Sequence, residues 1–255
     1  MTNKTSKILE KVDGDQGYYD ELKLSSDDIS KLKEIVHDHF SSQLVSKYPQ
    51  ASAKIKNTKM NKYHSLLSEF PQIDHSFLGA KKRRILPDVL TKKFRGLDFF
   101  KSLEDVLGPI KITNEEGLYN EEVYWRLTRP GHNDVGPMHA DKWFWDLNER
   151  KDFIPPKNKE RIKVWIPLHC SKYMGLQIVP FSQLKEFDYQ TEIRQGIRKP
   201  IFDTSKYNLK VDSLDSLPTT AVIFHDNVLH GAALNEGEAT RISLEFTMFV
   251  NLTNN

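Results

Sequence analysis

The 255-residue chain has one cysteine, almost no net charge and no long apolar run. The single Cys170 cannot form an intramolecular disulfide, so a reducing compartment is expected. Its place in IKVWIPLHC reads as a small core side chain rather than a nucleophile. Thirty-seven basic against 35 acidic side chains leave a formal charge of +2, too little to draw nucleic acid or an acidic membrane. The run Lys81-Lys82-Arg83-Arg84, beside Ile85-Leu86-Pro87, reads as a solvated helix end or loop rather than a localisation or phosphate patch. No stretch approaches the about 18 apolar residues of a membrane span. The opening MTNKTSKILEKVDGDQ lacks the apolar centre of a secretory signal. A soluble cytoplasmic protein is expected, with neither nucleic acid nor membrane as partner; its oligomeric state is not legible.

What is present is enough apolar material, 38% of the chain with 11% aromatic, for a substantial core. Residues 1–20 are polar and expected to be loosely held. Ser25-Ser26-Asp27-Asp28 then offers an N-cap and first-turn acids ahead of Ile29, Leu32, Ile35, Val36 and Phe40, a helical spacing. His37 and His39 fall on that helix and read as solvated or packed, not as ligands. Further helices are expected at Lys59–Phe70 and Asp98–Leu107, the latter closed by Gly108-Pro109. From about Ile110 short strand-like runs take over: IKI, EVYWRLTR, RIKVWIPL, GLQIVP, TAVIF and TRISLEFTMFV. Polar stretches at Asn148–Lys159 and Phe181–Leu217 read as loops over a site or as surface connections. No Gly/Ser/Pro-rich linker divides the halves. The expectation is one domain over 1–255, mainly helical through 108 and β from 109, with helices packed on an antiparallel barrel or double-sheet jelly roll.

The chemistry-bearing stretch is Gly136-Pro137-Met138-His139-Ala140-Asp141-Lys142-Trp143-Phe144-Trp145. On an extended segment His139 and Asp141 would share a face and could reach one metal ion. A second pair, His132-Asn133-Asp134, competes, but lies between Pro130-Gly131 and Gly136-Pro137 in a turn-like context. The tryptophans and Phe144 after Asp141 can pack and fix the backbone that ligand geometry needs. Of the later histidines, His225 ends an apolar strand and reads as packed, while His230 precedes Gly231, where backbone lacking a Cβ can approach closely. Arg241 and Ser243 share a strand face and could together hold a carboxylate.

These pieces, His139-Ala140-Asp141, VWIPL, Gly175-Leu176-Gln177-Ile178-Val179-Pro180, His230-Gly231-Ala232 and Arg241-Ile242-Ser243, resemble in order and spacing the iron(II)- and 2-oxoglutarate-dependent oxygenases, especially the phytanoyl-CoA dioxygenase-like branch. The resemblance covers roughly residues 124–250. It implies a double-stranded β-helix, iron(II) bound by His139, Asp141 and His230 as the catalytic centre, and the distal carboxylate of 2-oxoglutarate bound by Arg241 with Ser243. It further implies reaction with O2, release of succinate and carbon dioxide, and hydroxylation of a C–H bond. Related halogenases lack the carboxylate ligand, so Asp141 argues against halogenation. The chain departs from the family where many relatives have Gly-Ser-His after Val-Pro: here Pro180-Phe181-Ser182-Gln183 stands, which bears on substrate recognition or loop packing rather than on the metal.

A buried Arg241 lacking its anionic partner would be costly, so the empty site is expected to be loose or hydrated there. Tyr124, Arg126, Lys142, Trp143, Trp145 and Gln177 are candidates for contact with ligands or substrate. The aromatic, mixed-charge neighbourhood suits a small polar metabolite. Two other readings stay open: a cupin-like isomerase or zinc hydrolase, which would not need the Arg241/Ser243 pair, and a barrel that binds a small ligand without catalysis.

Overall fold

The computed structural model describes residues 7–14, 16–148, 159–172, 174–194 and 196–251. The helix Ser26–Lys47 forms where the spacing places it. Ser25 Oγ accepts the Asp28 backbone N–H at 3.0 Å, and Ile29, Leu32, Ile35, Val36, Phe40 and Leu44 are buried along one stripe. The helix Asp98–Leu107 also matches, and the stretch expected at Lys59–Phe70 is a 3-10 turn, Met60–Lys62, running into the helix Tyr63–Glu69. A further helix, Asp88–Arg95, buries Leu90, Thr91 and Phe94. No described helix is long and apolar enough to cross a membrane.

Eleven strands are described: β1 Tyr18–Lys23, β2 Lys111–Ile112, β3 Val123–Thr128, β4 Lys159–His169, β5 Leu176–Ile178, β6 Gln190–Arg194, β7 Ile197–Ile201, β8 Asp212–Ser213, β9 Thr220–His225, β10 His230–Ala232 and β11 Arg241–Asn251. The main sheet runs β1-β9-β4-β11-β2, with β3 also pairing β11. A three-stranded sheet runs β10-β5-β8, and β6 and β7 form a hairpin. All of these pairings are antiparallel.

This architecture corrects the expected jelly roll, or double-stranded β-helix. The fold is a mixed α/β arrangement of several antiparallel sheets, and among the described residues no ladder closes them into a barrel. Closure needs strands long enough to keep a staggered register around the whole circuit, whereas β10 and β5 have three residues each and β8 two. Pro180, which has no N–H to donate, and Phe181, left-handed at φ 63°, end the extended course after β5.

Period-2 alternation splits the main sheet into two faces. Ile242, Leu244, Phe246 and Met248 of β11, Val164 and Ile166 of β4, and Val123 and Trp125 of β3 join the helices in the larger core. On the other face, Trp165, Val222 and Phe224 pack with Leu176 and Ile178 of the small sheet. The polar side chains of β3, β4 and β11 share that second face.

Two stretches expected to be loose or looped carry structure among the described residues, although 1–6 and 15 lie outside these. Ile8, Leu9 and Val12 are buried in the larger core, and β1 pairs with β9 as an edge strand. The segment Phe181–Leu217 contains the β6/β7 hairpin and β8. The hairpin gave no core-facing pattern because it is largely exposed; Ile193 is 73% exposed. Of the loop expected at Asn148–Lys159, residues 149–158 lie outside the described residues.

His39 on the long helix is buried and receives the Trp125 Nε1–H at Nδ1, 3.0 Å away. Because indole only donates, His39 must stay neutral there, and burial lowers its pKa to about 4. Between pH 6.5 and 4 the unfolded chain therefore binds more protons at this residue, so stability falls as pH is lowered through that window. In a pH series of denaturant melts, His39→Gln should remove up to on the order of 3 kcal/mol of that decline; an unchanged pH slope would refute the neutral assignment.

Candidate metal centre and its two cavities

Three residues meet as a possible metal site: ligand atoms of His139, Asp141 and His230 lie within 4.8 Å of one another. His139 and His230 are joined by reciprocal backbone hydrogen bonds, His139 N to His230 O at 2.9 Å and His230 N to His139 O at 2.8 Å. Asp141 does not share an extended segment with His139, contrary to the sequence expectation; it is the first residue of the short helix Asp141–Leu147. The turn into that helix still brings Asp141 Oδ1 to 3.4 Å from His139 Nε2 and 3.8 Å from His230 Nε2.

The outer hydrogen bonds of the rings fix their tautomers. His139 Nδ1 lies 2.7 Å from Pro137 O, and His230 Nδ1 lies 3.0 Å from Val228 O. A carbonyl only accepts, so each Nδ1 carries the proton and each Nε2 presents its lone pair. Burial pushes His230 down to about 3, keeping it neutral at working pH. Burial alone would raise the Asp141 pKa, but the Lys163 ammonium holds it well below the usual carboxylate range. Lys163 Nζ donates to Asp141 Oδ2 at 2.7 Å, leaving Oδ1 toward the histidines. Two neutral imidazoles and one carboxylate form the facial triad of non-haem iron(II) oxygenases.

Packing after Asp141 holds this geometry. Trp143 stacks on Tyr189 at 4.6 Å, and the Phe144 ring meets the His139 ring edge-on at 5.3 Å. Behind His230, Ser182 Oγ receives the Leu229 N–H at 2.8 Å and donates to Val179 O at 2.6 Å. The close approach allowed at Gly231 is toward the backbone of Met138, whose Cα would lie 3.4 Å from an added Cβ.

The competing pair does not converge. Asp134 is taken by Arg129 through Nε and Nη2, each at 2.8 Å, and His132 is exposed. His225 lies in a second acid–histidine group with Asp13 and Glu160, away from the triad set. Gln183 reaches Asp13 O at 3.4 Å and packs against Gly17, where its amide and Val228 leave no room for a Cβ and the φ of +89° also favours glycine. At this departure from the family pattern the side chain packs against the N-terminal segment.

Arg241 and Ser243 line a cavity of about 350 Å³ together with His139 and His230. The guanidinium is not loose, contrary to expectation: Nη1 donates to Met174 O and to Ala233 O at 2.9 Å, and Nη2 donates to Thr128 Oγ1 at 2.9 Å. Backbone dipoles replace the missing anion. Ser243 Oγ donates to Glu245 Oε1 at 3.3 Å.

The sequence reading missed Glu245 and Lys163, although period-2 alternation from Ser243 would have placed Glu245 on the cavity face. Glu245 accepts Tyr124 Oη–H at 2.8 Å, pairs with Arg126 at 3.0 Å, and lies 3.8 Å from Lys163. Of the suggested contact residues, Arg126 lines both cavities of the site, and Tyr124 and Trp145 line the second, of about 530 Å³, which reaches His139 and Asp141. Lys142 instead pairs with Asp146, Trp143 packs in a small core, and Gln177 turns outward to Ser213. Lys81 and Arg84, expected to be solvated, line the second cavity, whereas Arg83 is exposed. Cys170 is half-buried, and burial raises its thiol to about 11, which removes it as a nucleophile.

Solved structures share this fold at low sequence identity. AviO1 from Streptomyces viridochromogenes Tue57 is 14% identical with a TM-score of 0.53, covering 98% of this chain and 96% of that one. SnoK, a non-haem alpha-ketoglutarate-dependent carbocyclase of nogalamycin biosynthesis, is 10% identical with a TM-score of 0.54, covering 98% and 84%. EctD from S. alaskensis, solved with bound Fe, is 11% identical with a TM-score of 0.55, covering 99% and 79%. The sequence model of one family, described as phytanoyl-CoA dioxygenase (PhyH), matches residues 30–243. That span takes in the triad, the cavity arginine and most of the helical half, and by it the chain belongs to the phytanoyl-CoA dioxygenase family of iron(II)- and 2-oxoglutarate-dependent oxygenases.

Proposed function

We propose that the protein hydroxylates a C–H bond of a small polar metabolite, using iron(II), 2-oxoglutarate and O2 and releasing succinate and carbon dioxide. The observation that carries this reading is the pair of backbone-anchored histidines whose free Nε2 atoms face Asp141 Oδ1, with Arg241 in the same cavity wall. His139, Asp141 and His230 would hold the metal. When bound there, iron(II) would supply oxidising power by coupling the reduction of O2 to the oxidative decarboxylation of 2-oxoglutarate.

The chain's own residues prepare that site. Lys163 occupies Asp141 Oδ2 and so favours coordination through Oδ1 alone. Arg241 uses three of its five N–H donors on the Met174 and Ala233 carbonyls and the Thr128 hydroxyl. Two donors remain for the distal carboxylate of 2-oxoglutarate, beside Ser243. Glu245 would repel that carboxylate if uncompensated; Arg126 and Lys163 neutralise it. We read residues 1–255 as one oxygenase domain, supported by a core that takes side chains from Ile8 to Val250.

Anaerobic iron(II) plus 2-oxoglutarate should give a weak visible charge-transfer band. His139→Ala and Asp141→Ala should abolish iron-dependent succinate release and metal binding, while His132→Ala and Asp134→Ala keep bound iron; the reverse pattern would move the metal site to the earlier pair. Titrating 2-oxoglutarate into the iron-loaded protein, Arg241→Ala should weaken its affinity by about 30-fold or more with iron largely retained. Unchanged affinity would take Arg241 out of the co-substrate site. Lys163→Met should lower iron affinity by about 10- to 100-fold, read by competition with a chelator, and an unaltered iron affinity would leave Lys163 no part in holding Asp141.

A further inference from the structure

The cavity beside Asp141 bears on the primary substrate. It shares with the Arg241 cavity the wall residues Gly79, Arg84, Arg126, His139 and Lys163, so a molecule in it would lie next to the triad. Its volume of about 530 Å³ is that of an ordinary small-molecule site.

Its charges do not cancel. Lys81 is taken by Glu115 and Glu122, Lys163 by Asp141, and Arg126 by Glu245. The lining acids Glu115, Glu116 and Asp141 each already have a lysine within ion-pair distance. Three lining cations have no carboxylate partner among the described residues: Arg84, the exposed Lys82 and the part-buried Lys199. Arg84 is the informative one. Its Nη1 donates to Trp125 O at 3.2 Å and its Nη2 to Gly79 O at 3.3 Å, both long, and its Nε is buried with no acceptor. A guanidinium withdrawn from water without an anion or a full set of acceptors costs free energy. Burial, reinforced by neighbouring Arg126, lowers its pKa to about 10, which still leaves it charged at neutral pH. Phe144 and Trp145 line the same cavity and offer apolar faces to a ligand's body.

We infer that the primary substrate is a carboxylate-bearing compound whose anion pairs with Arg84 while its apolar body lies against Phe144 and Trp145. Beyond their carbonyl contacts the two terminal nitrogens of Arg84 each keep one N–H, which suits a single carboxylate. Lys82 and Lys199 add positive potential that draws an anion inward. The inference rests on the oxygenase reading for its role in catalysis, but the anion preference of the cavity can be measured apart from it.

The test titrates 2-naphthoate and its neutral counterpart 2-naphthamide into the protein loaded anaerobically with iron(II) and 2-oxoglutarate, and into the metal-free protein, by calorimetry. The carboxylate should bind at least about tenfold tighter than the amide. Arg84→Gln should bring the two within about twofold while 2-oxoglutarate affinity stays within about twofold of the parent. Lys199→Gln, which removes a cation with no hydrogen bond to the fold among the described residues, should reduce the preference by a smaller factor. Equal affinities in the parent, no binding of either probe up to millimolar concentration, or an undiminished preference in Arg84→Gln would overturn the proposal. So would loss of 2-oxoglutarate binding in Arg84→Gln, since that would assign Arg84 to the co-substrate. A missing charge-transfer band with a retained, Arg84-dependent preference would instead fault the oxygenase reading and leave the anion site standing.

Discussion

Asp141 has to remain charged inside a cavity, and the arrangement around it follows from that requirement. An isolated carboxylate withdrawn from water would protonate and lose its value as a ligand. Lys163, from the middle of β4, meets its Oδ2 and holds it ionised. That ammonium is buried too, and it lies 3.8 Å from Glu245 on the neighbouring β11. Glu245 in turn is bound by Tyr124 and Arg126 from β3. The sheet register makes this possible, because β11 pairs with both β3 and β4, setting Glu245 opposite Tyr124 and Ser243 opposite Arg126. Removing one member of such a set leaves an uncompensated charge, which costs more than the pair itself contributes.

The second constraint is covalent distance. His139 and His230 are far apart in the chain, yet two reciprocal backbone hydrogen bonds set them side by side. This link does not depend on side-chain rotamers, so it positions both imidazoles before any ion arrives. The Pro137 and Val228 carbonyls then set which nitrogen faces inward. Ser182 and Leu229 hold the backbone just before His230, and the aromatic packing of Trp143 and Phe144 holds the backbone just after Asp141. The triad is rigid because each ligand is tied down by a separate local device.

Around the triad the space divides into two cavities with a common wall. One contains Arg241, stabilised by carbonyls and a hydroxyl rather than by an acid. Arg84 stands in the wall common to both; its two carbonyl contacts are longer and its Nε has none.

Local signals in the sequence determined much of this protein. Ser25 with the apolar spacing after it specified the long helix, because capping and a 3.6-residue period act within one element. Short apolar, β-branched runs bounded by turn residues specified β3, β4, β9 and β11, strands largely buried on both faces. The order of His139-x-Asp141, His230 and Arg241 pointed to the site, since ligand types and spacing carry metal chemistry on their own. Tertiary structure decided the rest. Whether strands close into a barrel depends on edges finding partners across the fold, and here β5, β8 and β10 are too short to do so. The edge strand β1 and the β6/β7 hairpin were hidden because their residues are polar and depend on neighbours for order. Lys81 and Arg84 read as solvated charges, Lys163 and Glu245 were not singled out, and only the tertiary packing shows which are paired and which remain without a carboxylate.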